Sequence, residues 1–139
     1  MSNETSPFGN PDYAITRHLP GASYEATIEA VRAALATQGF GVLTEIDVKA
    51  TLKKKLDADV APYIILGACN PKLAHRALTA EPGIGVLLPC NVVVAQADDG
   101  VIVSAIDPRR MFEVVGRPDV APLAEEVRSL LEAALAAVG

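Results

Sequence analysis

The sequence predicts an α+β domain, an antiparallel sheet with helices packed on one face. Two periodicities and one turn lead there. Period-two alternation over residues 41–49 marks a half-buried strand, whereas apolar stripes at helical spacing mark amphipathic helices over residues 24–35 and 123–138. Asp98-Asp99-Gly100 is a hairpin signal between two apolar strands. Strands that meander with few crossovers form an antiparallel sheet with helices segregated to one side.

A chain of 139 residues suits one domain with one core. Half of its residues are hydrophobic and only 4% are aromatic, which supports a globular protein and argues against nucleic-acid binding by stacked aromatics. Twelve Lys and Arg face 17 acids, so no basic stripe is available for a phosphate backbone. The short cluster Lys53-Lys54-Lys55 does not reverse that balance. No apolar run reaches the roughly 20 residues that span a bilayer, and the polar start lacks the order of a signal peptide. Nucleic acid and membrane are therefore not expected partners. The cytoplasm is the expected compartment, with both cysteines as reduced thiols. Asn3-Glu4-Thr5 fits a glycosylation pattern only by chance in that setting.

Residues 1–12 carry Ser, Asn, Gly and Pro with little to bury, and read as a flexible lead-in to a single domain over residues 13–139. Residues 13–19 alternate weakly as a strand that Pro20-Gly21 ends. Ser23 is placed to cap a helix with Glu25 in its first turn; Tyr24, Ile28, Val31 and Leu35 form its stripe and Gly39 its stop. In residues 41–49, Val42, Thr44, Ile46 and Val48 share the face expected to pack on a helix. Leu43, Glu45, Asp47 and Lys49 share the other, with the two carboxylates about 7 Å apart. That second face is either solvated or the acidic wall of a cleft.

Leu52 and Leu56 bracket the lysines in one or two helical turns, residues 57–62 form a loop, and Tyr63-Ile64-Ile65-Leu66 is a short buried strand. Asn70-Pro71 pairs a cap with a first-turn proline. The helix it opens buries Leu73, Ala74, Ala77 and Leu78, places His75 towards the polar side, and closes at Glu81-Pro82-Gly83. Residues 86–88 and 90–96 read as one strand bent at Pro89, and residues 101–106 as its return. Residues 108–118 form a connection pinned by Met111, Phe112, Val114 and Val115. Asp119 is placed to cap a last helix that buries Leu123, Val127, Leu130, Leu131, Ala134 and Val138.

Three runs carry a resemblance: Gly39-Phe40-Gly41-Val42-Leu43-Thr44-Glu45-Ile46-Asp47-Val48-Lys49, Leu66-Gly67-Ala68-Cys69-Asn70-Pro71 and Leu87-Leu88-Pro89-Cys90-Asn91-Val92-Val93-Val94. In this order they closely resemble the prokaryotic family known as domain of unknown function 302. The likeness runs from about residue 13 to residue 108, and the final helix carries no matching motif. It implies an antiparallel sheet with helices packed on it, similar to the TATA-binding-protein-like fold, and frequently a homodimer. It implies no established activity, and the fold likeness does not import DNA binding against the charge balance.

Both cysteines fall in these motifs, each followed by asparagine and each near a proline. Cys69 precedes the expected helix cap, where unpaired N–H groups favour thiolate over thiol and leave room for an anion or a carbonyl. A small buried cysteine in a tight turn fits the same residue. If the strand opened by Cys90 neighbours residues 63–66, folding brings the two thiols together. There is no Cys-x-x-Cys motif, and two thiols with a distant His75 fall short of a zinc site. Two thiols do suit a soft metal ion such as monovalent copper.

Asn70 and Asn91 can orient a ligand, although capping and turn closure also explain them. Two functions follow. The first is a dimeric binding module that holds a small molecule or soft metal at Cys69, Asn70, Cys90 and Asn91, near Glu45 and Asp47. The second is a thiol enzyme or redox protein with Cys69 as catalytic nucleophile and Cys90 as its partner. A structural or interaction domain whose cysteines merely pack is the third reading.

Overall fold

The computed structural model of the chain describes residues 8–139, so Asn3-Glu4-Thr5 and most of the lead-in lie outside the described residues. Strand β1 (Ala14–Pro20) turns at Gly21, whose φ of +75° suits glycine, into helix α1 (Tyr24–Thr37). The Ser23 hydroxyl accepts the Ala26 N–H, which satisfies one of the free donors at the helix start. Gly39 ends that passage at φ +85°.

Strand β2 (Gly41–Asp47) stops two residues short of the alternation expected for it. The Asp47 carboxylate accepts the Ala50 N–H, and this cap draws Val48 and Lys49 into helix α2 (Val48–Leu56). Strand β3 (Tyr63–Cys69) leads through Asn70-Pro71 into helix α3 (Pro71–Ala80). Leu73 and Ala77 are buried as expected, while Leu78 stays 40% exposed.

The expected strand over residues 86–88 is not formed. Pro82–Leu87 is a 3-10 helix and Val86 is 89% exposed. Pro89 follows a cis peptide bond and has no N–H to give a ladder, so pairing begins at Cys90. Strand β4 (Cys90–Ala97) and strand β5 (Gly100–Ile106) then form the expected hairpin around Asp98 and Asp99. Gly100 is required there, because a Cβ would collide with the Leu19 carbonyl oxygen.

The connection after β5 contains a helix, α4 (Pro108–Glu113), capped by the Asp107 carboxylate on the Arg109 N–H. Met111 and Phe112 pin it to the core, but Val114 is exposed. Asp119 does not cap the last helix, α5 (Ala121–Ala136). It lies in a 3-10 turn with its carboxylate on Arg117, and α5 begins without a side-chain cap.

The five strands run in the order β1-β5-β4-β3-β2, and every neighbouring pair is antiparallel. Ile64, Leu66, Val92, Val94, Val101 and Val103 occupy one face and meet Val31 and Leu35 of α1 and Leu131 and Leu135 of α5. This layer is the core. Helix α2 instead borders the opposite face, where Val48 and Leu52 help line a cavity of about 960 Å³ and Phe8 stacks on Tyr63 at 6.4 Å. Among the described residues, no helix is long and apolar enough to cross a membrane.

One cation ties the layers together. Arg17 of β1 donates through Nη1 to the carbonyls of Leu135 and Val138, both at 2.6 Å, at the negative end of α5. Arg17→Met keeps the stem and removes both bonds. It is expected to lower unfolding stability by about 2 kcal/mol, read from urea titration of the purified domain.

Candidate functional site

The site forms where β2, β3 and β4 meet the start of α3. Val42 pairs with Ala68 and Thr44 with Gly67, so Leu43 is an extra residue in a β-bulge. Leu43 is pushed out to 69% exposure, and Thr44 swings over Gly67. A Cβ on Gly67 would collide with Thr44 Oγ1 and lie 2.9 Å from Pro89 Cγ. Glycine leaves room at that point for Thr44 of β2 and for Pro89, just before Cys90.

Cys90 opens β4 opposite Ala68, one position from Cys69 at the end of β3. Both thiols are free; Cys69 is half-buried and Cys90 is buried. Burial pushes the Cys90 thiol up to about 11, with nearby Cys69 adding in the same direction, so at neutral pH Cys90 is protonated. Asn70 caps α3 by accepting the Leu73 N–H at 3.5 Å and donates to the Gln38 carbonyl at 3.2 Å. Its amide thus ties the start of α3 to the turn at Gly39.

Around these residues lies a cavity of about 360 Å³. Cys69, Asn70 and Cys90 share its wall with Leu73 and Ala77 of α3 and with Met111 and Phe112 of α4. The far wall depends on Asp107, whose buried carboxylate accepts from the Arg109 backbone at 3.0 Å, the Arg109 guanidinium at 3.2 Å and Arg128 of α5 at 3.3 Å. Burial alone would raise the Asp107 carboxyl; the Arg109 and Arg128 hydrogen bonds outweigh it and hold it below the ordinary carboxylate value.

The remaining residues singled out in the sequence go elsewhere. The bulge turns Glu45 and Asp47 to the face of Leu66 and Ile64, where Glu45 pairs with Arg32 and Asp47 caps α2; neither lines the cavity. Thr44 and Ile46, expected to pack on a helix, take the opposite face, and Ile46 is 49% exposed. Asn91 is exposed on β4 opposite Gly67 and borders the larger cavity. His75 is exposed on α3 and does not line the cavity around the thiols. Among the described residues, no three His, Cys, Asp or Glu side chains gather as a metal set would.

Sequence reasoning missed the role of Asp107. The signal was there: Asp107-Pro108 repeats the cap-and-proline pattern of Asn70-Pro71.

These features define a class: a five-stranded antiparallel α+β domain with an apolar cavity carrying two free thiols beside a helix start. Residues 15–138 match the family described as Domain of unknown function DUF302, and the chain belongs to it. A crystal structure of an uncharacterized conserved DUF302 protein from Bacillus stearothermophilus is similar, with a TM-score of 0.86 and 27% identity over 93% of this chain and 100% of that one. No curated protein matches the chain.

Proposed function

We propose that this domain is a binding module that holds a small molecule in the cavity beside Cys69, Asn70 and Cys90. The observation that carries the reading is the cavity's composition: about 360 Å³ of apolar space with a few convergent polar atoms. Small-molecule sites share this make-up and range over roughly 300–1,000 Å³. A soft metal is the less favoured ligand, because the high Cys90 value works against the thiolate a metal needs. The thiol-enzyme reading is less favoured, because His75 stands outside the cavity and, among the described residues, no His, Asp or Glu lines it beside Cys69.

The test uses N-phenyl-1-naphthylamine, an uncharged dye that fluoresces in apolar surroundings. Saturable binding at one dye per chain is expected, with loss in Ala74→Phe, which fills the cavity from a half-buried position. No saturable binding, or binding unaffected by Ala74→Phe in a folded variant, would overturn the reading.

We further propose that a second copy of the chain covers exposed apolar side chains such as Tyr13, Ile46 and Leu56. Light scattering at micromolar concentration is expected to give twice the 14.5 kDa chain mass. A monomer at that concentration would remove this part of the account.

A further inference from the structure

Resting on the binding reading, we infer that the ligand is an uncharged, predominantly hydrocarbon molecule that reaches the thiols past Leu43 and Leu78.

Among the described residues, the cavity wall supplies no charged partner for an ion, because no charged side chain lines it. Its polar side chains are Thr44, Cys69, Asn70 and Cys90; one Asn70 N–H is held by the Gln38 carbonyl and its oxygen accepts the Leu73 N–H, so the amide offers a ligand at most one neutral donor and one acceptor site and no charge. The Cys90 thiol is neutral and buried, so it offers a weak donor and no counter-charge. A carboxylate or ammonium brought here would lose its hydration and gain no ion pair, which is the costly case. A hydroxyl or carbonyl on a hydrocarbon frame loses far less and can meet a thiol or the Thr44 hydroxyl.

The surface around the opening points the same way. Leu43 and Leu78 both line the cavity and both are exposed, so an apolar edge continues from the wall to solvent. The bulge at Leu43 is what turns this side chain outward. A charged head left at the opening would therefore rest against leucine.

Three ligands of one chain length separate the outcomes: octan-1-ol, octanoate and octylammonium, each titrated near neutral pH into the full chain and followed by amide NMR. Octan-1-ol is expected to shift the resonances of Cys69, Leu73, Ala77 and Cys90, and to bind about tenfold or more tightly than either ion. Leu78→Lys, made at an exposed position that tolerates charge, is expected to narrow that gap severalfold for octanoate alone. If octanoate or octylammonium shifts the same resonances as strongly as octan-1-ol, the cavity binds and the inference of an uncharged ligand falls. If none of the three moves these resonances, the binding reading falls with it.

Discussion

Asp107→Ala is expected to lower the unfolding stability of the domain by about 3 kcal/mol. The carboxylate is buried and holds two guanidinium groups, Arg109 and Arg128, while its Oδ1 also caps α4. Removing one member of a buried charge cluster leaves the others without compensation, which is the expensive direction of change. Partial exposure of Arg109 and Arg128 lets water recover part of the loss, and this places the figure at the lower end of the range for such clusters.

The pH dependence has a fixed sign. The folded-state value of Asp107 is depressed, so its contribution is complete above the unfolded carboxyl value near 3.8 and is lost as pH falls through the lower folded value. Wild-type stability should therefore drop below about pH 4 more steeply than that of Asp107→Asn. Urea titrations of both proteins at several acidic pH values check this. Parallel profiles would mean that Asp107 does not carry the acid sensitivity. Because α4 and α5 supply Met111, Phe112, Leu123 and Val127 to the cavity, Asp107→Ala should also weaken dye binding in the protein that remains folded.

Gly67→Ala is expected to cost about 2 kcal/mol, an overpacking effect. Its new methyl meets Thr44 Oγ1 and Pro89 Cγ, and Pro89 cannot rotate away. Thr44→Ala removes one of the two clashes, so the double variant should recover part of the loss and show a coupling energy between the sites. Denaturation of the four proteins of this cycle measures it. Simple additivity would mean that the bulge does not bring Thr44 over Gly67.

The sequence made most of this fold legible because its elements have local causes. Ser23 and Asn70 cap helices through bonds made within three residues, and Asp98-Asp99-Gly100 turns a hairpin, so each can be read without neighbours. The misreadings arose where a local rule met a competing one. Alternation through residues 41–49 is broken twice, by the bulge at Leu43 and by the Asp47 cap, and only pairing with β3 reveals the first. That single extra residue moved Glu45 and Asp47 off the expected face.

The site was half legible. The proximity of Cys69 and Cys90 follows from antiparallel pairing of β3 with β4, an arrangement the motifs allowed but periodicity alone does not fix. The apolar wall from α4 and α5 is long-range and depends on the cluster of buried Asp107 with Arg109 and Arg128, which no local pattern announces.

A ligand site beside the thiols is tested most directly by alkylation of Cys69 and Cys90 on the native protein, followed separately by mass spectrometry with and without octan-1-ol. N-ethylmaleimide is expected to modify half-buried Cys69 in the folded chain, and octan-1-ol to slow this reaction. Buried Cys90, with its thiol pushed up to about 11, should react only after unfolding. Cys69 modification at an unchanged rate with octan-1-ol present, or Cys90 reacting as fast as Cys69 in the folded protein, would contradict a ligand site beside the two thiols.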